Sequence, residues 1–169
     1  FESSIPQMYY NRGNAYDELG QYKEAIADYT KAIQLRPDYA LAYNNRGLVH
    51  RKVGAYEKAL ADYAKAIQID PHYAEAYANR GVAYQCLDQF EKAIAEFNKA
   101  IKVMPDAAGI YYNRAVSYEA LGKKEQAIRD YTKAVQLDPS LIVAYHNRAH
   151  LYLNLGDLQK ALADLDKTV

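Results

Sequence analysis

A five-residue motif, Tyr-x-Asn-Arg followed by Gly or Ala, returns every 34 residues along this chain. It appears as Tyr9–Gly13, Tyr43–Gly47, Tyr77–Gly81, Tyr111–Ala115 and Tyr145–Ala149. A period of this length marks small supersecondary units, none large enough to bury its apolar face alone, so neighbouring units must cover one another in a stack. The expected product is an extended surface rather than a closed pocket.

Within each period the pattern predicts two amphipathic helices and a tight turn. In the first unit Tyr9, Gly13, Tyr16 and Leu19 form one apolar stripe at helical spacing, and Ala25, Ile26, Tyr29, Ala32 and Ile33 form another. Gly20, Gly54, Gly122 and Gly156 fall at the break between stripes and suit the left-handed residue that ends a helix, with Asp88 as a poorer substitute in the third unit. Pro37, Pro71, Pro105 and Pro139 stop the second helices. Small residues (Gly13, Gly47, Gly81, Ala115, Ala149) recur where backbones approach. Bulky ones (Tyr29, Tyr63, Phe97, Tyr131, Leu165) recur where gaps need filling. The unit boundaries are 6–39, 40–73, 74–107, 108–141 and an incomplete 142–169, with 1–5 a tail or the remnant of a preceding unit.

These positions closely resemble those of the tetratricopeptide repeat family: the large-small-aromatic series, the second-helix alanines and the terminal proline appear in order over residues 6 to 169. The resemblance implies an all-α, right-handed superhelical solenoid of about five antiparallel helix-turn-helix repeats. First helices would line a concave groove of the kind that binds peptides. It implies a scaffold rather than an enzyme.

One departure from the family's pattern recurs in every unit. Arg12, Arg46, Arg80, Arg114 and Arg148 stand where the family usually places a leucine-like core residue, and each is followed sixteen residues later by Asp28, Asp62, Glu96, Asp130 and Asp164. An unpaired guanidinium in a packed seam is costly, so each arginine is expected to pair within its hairpin or with the neighbouring one, as structure rather than as ligand site.

The asparagines just before those arginines, Asn11, Asn45, Asn79, Asn113 and Asn147, fall on the concave side by the family's geometry. An amide carries donors and an acceptor, so such a row could hold the backbone of an extended peptide, resembling the asparagine ladder of O-linked N-acetylglucosamine transferases. The alternative, that each asparagine bonds locally and sets repeat geometry, stays open. Neighbouring groove positions are Tyr10, Asn14, Leu48, Arg51, Val82, Tyr112, Val116 and Glu119, with Leu48, Val82 and Val116 as apolar anchors and Asp17, Arg51 and Glu119 as a mixed rim. The basic residues of a chaperone-tail carboxylate clamp are missing, since Tyr10, Glu75 and Asn79 stand in their places.

Charge narrows the partners further. Twenty-one basic residues balance 21 acidic ones, so no global field favours nucleic acid or an anionic membrane, and no apolar run approaches a membrane span. The single cysteine, Cys86, rules out an internal disulfide and leans toward a reducing, cytoplasmic setting for a soluble chain; it is expected to pack ordinarily near the groove. His146 and His150 stand one turn apart without a third ligand at diagnostic spacing, so no metal and no cofactor is expected. No catalytic constellation is present.

Leu162, Leu165 and Val169 repeat the inward-facing pattern at the C-terminal end, and Phe1 falls in register with Leu35 and Ile69 as though from an earlier unit. The expected function is therefore a non-enzymatic scaffold that holds a peptide segment of a protein partner in its groove. Two alternatives are self-association through an uncapped C-terminal end, and service as the substrate-recognition array of a larger enzyme such as a protein glycosyltransferase.

Overall fold

The structure, a computed structural model, describes residues 4–168, so Phe1 and Val169 lie outside it. Ten helices account for its secondary structure, with no strand among the described residues. They are α1 (Ile5–Glu18), α2 (Tyr22–Leu35), α3 (Ala40–Lys52), α4 (Tyr56–Ile69), α5 (Ala74–Cys86), α6 (Phe90–Val103), α7 (Ala108–Ala120), α8 (Lys124–Leu137), α9 (Ile142–Asn154) and α10 (Leu158–Leu165). Odd-numbered helices are the first helices of the 34-residue units. No helix is long and apolar enough to cross a membrane.

Each helix begins and ends where local chemistry demands. Gly20 adopts φ of +72°, which lets its N–H bond to Asp17 O and that of Gln21 to Tyr16 O, satisfying the last carbonyls of α1. The same pair of bonds closes α3, α7 and α9 at the other three turn glycines, and Asp88 takes the corresponding left-handed φ of +55°. Second helices stop differently: Arg36, Asp70 and Asp138 turn extended just ahead of Pro37, Pro71 and Pro139, because a residue before proline is driven out of helical space. Leu19 falls beyond the last residue of α1 and is 71% exposed, so it leaves the stripe assigned to it from sequence.

The chain forms two compact units, Phe1–Leu87 and Asp88–Val169, dividing between α5 and α6. In the first unit α1 to α5 pack serially, and the first helices also touch, α1 on α3 and α3 on α5. Gly13 and Gly47 make this possible, since a Cβ on either would lie 2.8 Å from the ring of Tyr29 or Tyr63. Ala25, Tyr29 and Val49 form one core cluster and Ala59, Tyr63 and Ala83 another. In the second unit α6 to α10 also pack serially. Its core joins Ala115, Tyr131, Ala134, Ala144 and Leu151, so alanine fills the small position that glycine holds in α1 and α3. On α10 the buried residues are Ala161 and Asp164, while Leu162 is 61% exposed, contrary to the inward-facing pattern expected of it.

Candidate functional site

The arginine seams come first, because they fix the faces on which any ligand site is built. Arg46 forks onto Asp62, with Nε donating to Oδ2 at 2.9 Å and Nη2 to Oδ1 at 2.7 Å, while Nη1 donates to Thr30 Oγ1 at 2.9 Å. One side chain thereby ties α3 to its own second helix and to the preceding one. Arg148 repeats the arrangement with Asp164 and Thr132, and Arg114 with Asp130 and Asn98. Arg12 makes the same fork onto Asp28 at 2.6 and 2.8 Å, but its side chain is 58% exposed where Arg46, Arg114 and Arg148 keep 12–18%. Arg80 lies on α5 in the first unit and Glu96 on α6 in the second. Arg80 stands over the Tyr77 ring, and buried Glu96 accepts from Lys99 Nζ.

Tyrosines flank the guanidiniums. Arg114 lies 5.5 Å from the centre of Tyr111 and 5.9 Å from that of Tyr118, and Arg148 sits likewise between Tyr145 and Tyr152. In the second repeat His50 replaces the second tyrosine. Burial lowers its pKa against the charge of Asp62, whose carboxylate is 3.8 Å away.

Three members of the asparagine row, Asn45, Asn79 and Asn147, donate toward a preceding first helix. Asn45 Nδ2 donates to Tyr10 Oη and to Asn14 Oδ1, both at 3.0 Å, and Tyr29 Oη donates to that same Asn14 oxygen at 2.8 Å. Asn79 Nδ2 donates to Asn44 Oδ1 at 3.0 Å, and Asn44 passes a bond to Asn45 Oδ1 at 3.2 Å. These links form one chain of amides across α5, α3 and α1. In the second unit Asn147 Nδ2 donates to Tyr131 Oη at 3.2 Å and to Tyr112 Oη at 3.4 Å. Of the two readings left open by the sequence, the local one accounts for the donors of Asn45, Asn79 and Asn147. Asn11 stands apart, exposed and accepting from Gln7 Nε2. Asn113 is half-buried on α7.

What remains open on the first-helix face is mostly apolar. In the first unit Tyr10, Leu48, Arg51 and Val82 are half-buried, and in the second Tyr112, Val116 and Glu119 are. Glu119 is engaged, its Oε2 accepting from Tyr131 Oη at 2.8 Å. Arg51 Nε and Tyr63 Oη are both buried, and neither meets hydrogen-bond geometry with a partner among the described residues. Burial lifts the Tyr63 hydroxyl to about 12, with the adjacent Arg51 charge pulling the other way.

Other candidates disperse. His146 and His150 are both exposed, and no group of three potential metal ligands occurs among the described residues. Cys86, the last residue of α5, is exposed rather than packed as its sequence setting suggested.

Two contributors escaped the sequence reading. Thr30, Asn98 and Thr132 accept the third arginine bond, and their signal was a position sixteen residues before each arginine. The hydroxyls of Tyr29 and Tyr131 reach the first-helix face although their rings fill the core; nothing in spacing announces where a hydroxyl ends.

Comparison with known families agrees with this geometry. TPR repeat patterns match residues 13–54 and 87–122, and tetratricopeptide repeat patterns match 40–73 and 108–141, and again 63–95 and 130–163. The chain is a tetratricopeptide repeat protein. Among solved structures, this repeat protein is similar to a crystal structure of MamA, at 26% identity and TM-score 0.84, over 92% of this chain and 91% of that one. It also shares its fold with Pseudomonas aeruginosa pilF, at 20% identity and TM-score 0.92, over 99% of this chain and 76% of that one. YrrB, described as a TPR protein with an unusual peptide-binding site, is similar at 22% identity and TM-score 0.75, over 95% of this chain and 82% of that one. No curated protein matches the sequence.

Proposed function

We propose that this tetratricopeptide repeat protein is a non-enzymatic interaction scaffold that holds an extended peptide segment of a partner protein against its first-helix face. The observation that carries the reading is a division of labour on that face. The amides are occupied in joining first helices, while Leu48 and Val82, together with Tyr10, stay half-exposed beside them. A rigid frame with aliphatic side chains left open suits anchor residues of a peptide, because little is spent on ordering the site when the ligand arrives. Neither a cofactor nor nucleic acid enters this reading.

A peptide-array screen, followed by calorimetric titration of the best sequence, tests it. Leu48→Ala with Val82→Ala should weaken binding by about tenfold, the worth of the buried methyl groups removed, in a variant matched to wild type in helicity and urea midpoint. Wild type that captures no peptide, or a double variant that binds unchanged, overturns the reading.

A second reading has one observation behind it. Leu158 and Leu162 on α10 are 66% and 61% exposed, an apolar face on which two copies could associate. Light scattering that stays monomeric as concentration rises excludes it.

A further inference from the structure

Three repeats carry a tyrosine at the core position, and the second differs from the other two in its hydrogen bonding. In the first repeat the core tyrosine donates to the first helix, Tyr29 Oη to Asn14 Oδ1 at 2.8 Å. In the fourth it does so again, Tyr131 Oη to Glu119 Oε2 at 2.8 Å, while accepting from Asn147. Each acceptor comes from one of two first-helix positions three residues apart. The second repeat fills both without an acceptor: Leu48 stands where Asn14 stands one repeat earlier, and Arg51 where Asp17 and Glu119 stand.

The consequence is visible in the structure. Tyr63 is wholly buried, and neither its hydroxyl nor Arg51 Nε has a partner among the described residues. The two groups are close enough for Arg51 to favour the ionised hydroxyl against the effect of burial, yet no bond between them meets hydrogen-bond geometry. Buried donors left unsatisfied are uncommon and costly, so an acceptor supplied from outside recovers what the free protein forgoes. Asp62, whose charge reaches the Tyr63 hydroxyl, is already held by the Arg46 fork.

We propose that Arg51 and Tyr63 form an anion anchor on the first-helix face of the first unit, taking the side-chain carboxylate of an acidic residue in an extended peptide. This rests on the peptide-scaffold reading and adds the ligand's chemistry to it. A carboxylate is acceptor-only and offers two oxygens, which match a guanidinium N–H and a phenolic O–H. Arg51 is half-buried while its Nε and the Tyr63 hydroxyl are buried, so a ligand carboxylate reaches both only when the long Arg51 side chain turns. Leu48, on the same helix and packed against the Tyr63 cluster, provides an aliphatic wall beside the anchor. The preferred segment therefore carries Glu or Asp next to an aliphatic residue. One guanidinium N–H beside one phenolic O–H suits a carboxylate, whereas a phosphate gathers several basic groups.

The test uses acetylated, C-terminally amidated peptides that differ only by Glu or Gln beside a leucine, titrated into wild type, Arg51→Gln and Tyr63→Phe. Wild type should bind the Glu peptide about tenfold more tightly, the effect of one charge-assisted bond. Arg51→Gln should bring the ratio of Glu-peptide to Gln-peptide affinity to one, and Tyr63→Phe should reduce that ratio, whatever either does to the affinity for the Gln peptide. Equal binding of both peptides by wild type, or a preference that survives Arg51→Gln, overturns the anchor and leaves the scaffold reading standing. A preference seen only with a free C-terminal acid overturns the side-chain assignment. Failure of wild type to bind either peptide, across leucine-containing panels, overturns the scaffold reading along with the anchor.

Discussion

Replacing Arg46 by methionine tests whether the repeated arginine seams hold the repeats together. Asp62 would lose both charge-assisted bonds, at 2.7 and 2.9 Å, and Thr30 would lose its donor. The Asp62 side chain is 8% exposed, so little water can replace them. Removing one member of a buried pair costs about 3–5 kcal/mol. Arg46 is 18% exposed and His50 stands 3.8 Å from the stranded carboxylate, which places Arg46→Met near the lower end, about 3 kcal/mol. Against the roughly 5–15 kcal/mol typical of a folded domain, that is a large fraction. Adding Asp62→Leu removes the stranded charge and should recover all but about 1 kcal/mol, since apolar residues of similar volume often replace a buried pair at little cost. Urea denaturation followed by circular dichroism measures the cycle. Arg12→Met is the internal control: the same fork with the arginine 58% exposed should give a clearly smaller loss. A double variant as unstable as the sum of its single variants, or equal losses at Arg46 and Arg12, would refute the argument from burial.

Two further outcomes follow from the same geometry. Burial raises the pKa values of Tyr63 and Tyr73 to about 12 and pushes Tyr29 and Tyr131 higher still, so the fold favours their neutral form. Their stabilisation is complete below the ordinary tyrosine value of 10.0 and is lost as pH climbs toward 12; urea midpoints should fall across that window, and Tyr63→Phe should make the fall shallower. Asp88 pays conformational strain at φ of +55° that glycine would avoid, so Asp88→Gly should raise stability by about 0.5 kcal/mol, read from the same denaturation curves.

Sequence and structure agree most closely where periodicity governs. A helix boundary depends on a glycine, a proline and a stripe of apolar residues, all local, so the turns at Gly20 and Gly54 and the stops before Pro37 and Pro71 were legible. Arginine and acid sixteen residues apart were equally plain, because the spacing carries one helix of a hairpin onto the other. The asparagines were ambiguous for a physical reason. An amide that faces a groove and one that bonds the next helix occupy the same position in the period, and only the partner atom, such as Tyr10 Oη for Asn45, separates them. Leu19 and Leu162 show the opposite failure: their spacing is apolar and regular, yet each lies where no neighbouring helix covers it. The unsatisfied pair at Arg51 and Tyr63 was not legible at all, since it depends on acceptors missing from two positions at once.

The most direct test of the account is an NMR titration of the protein with the tightest peptide from the array. The account predicts that resonances of Leu48, Arg51 and Val82 on the first helices shift together and saturably, while the side-chain amides of Asn45 and Asn79 keep their hydrogen-bonded positions. Shifts confined to second-helix residues such as Lys58 and Lys65, or loss of the Asn45 and Asn79 amide bonds to the peptide backbone, would contradict it.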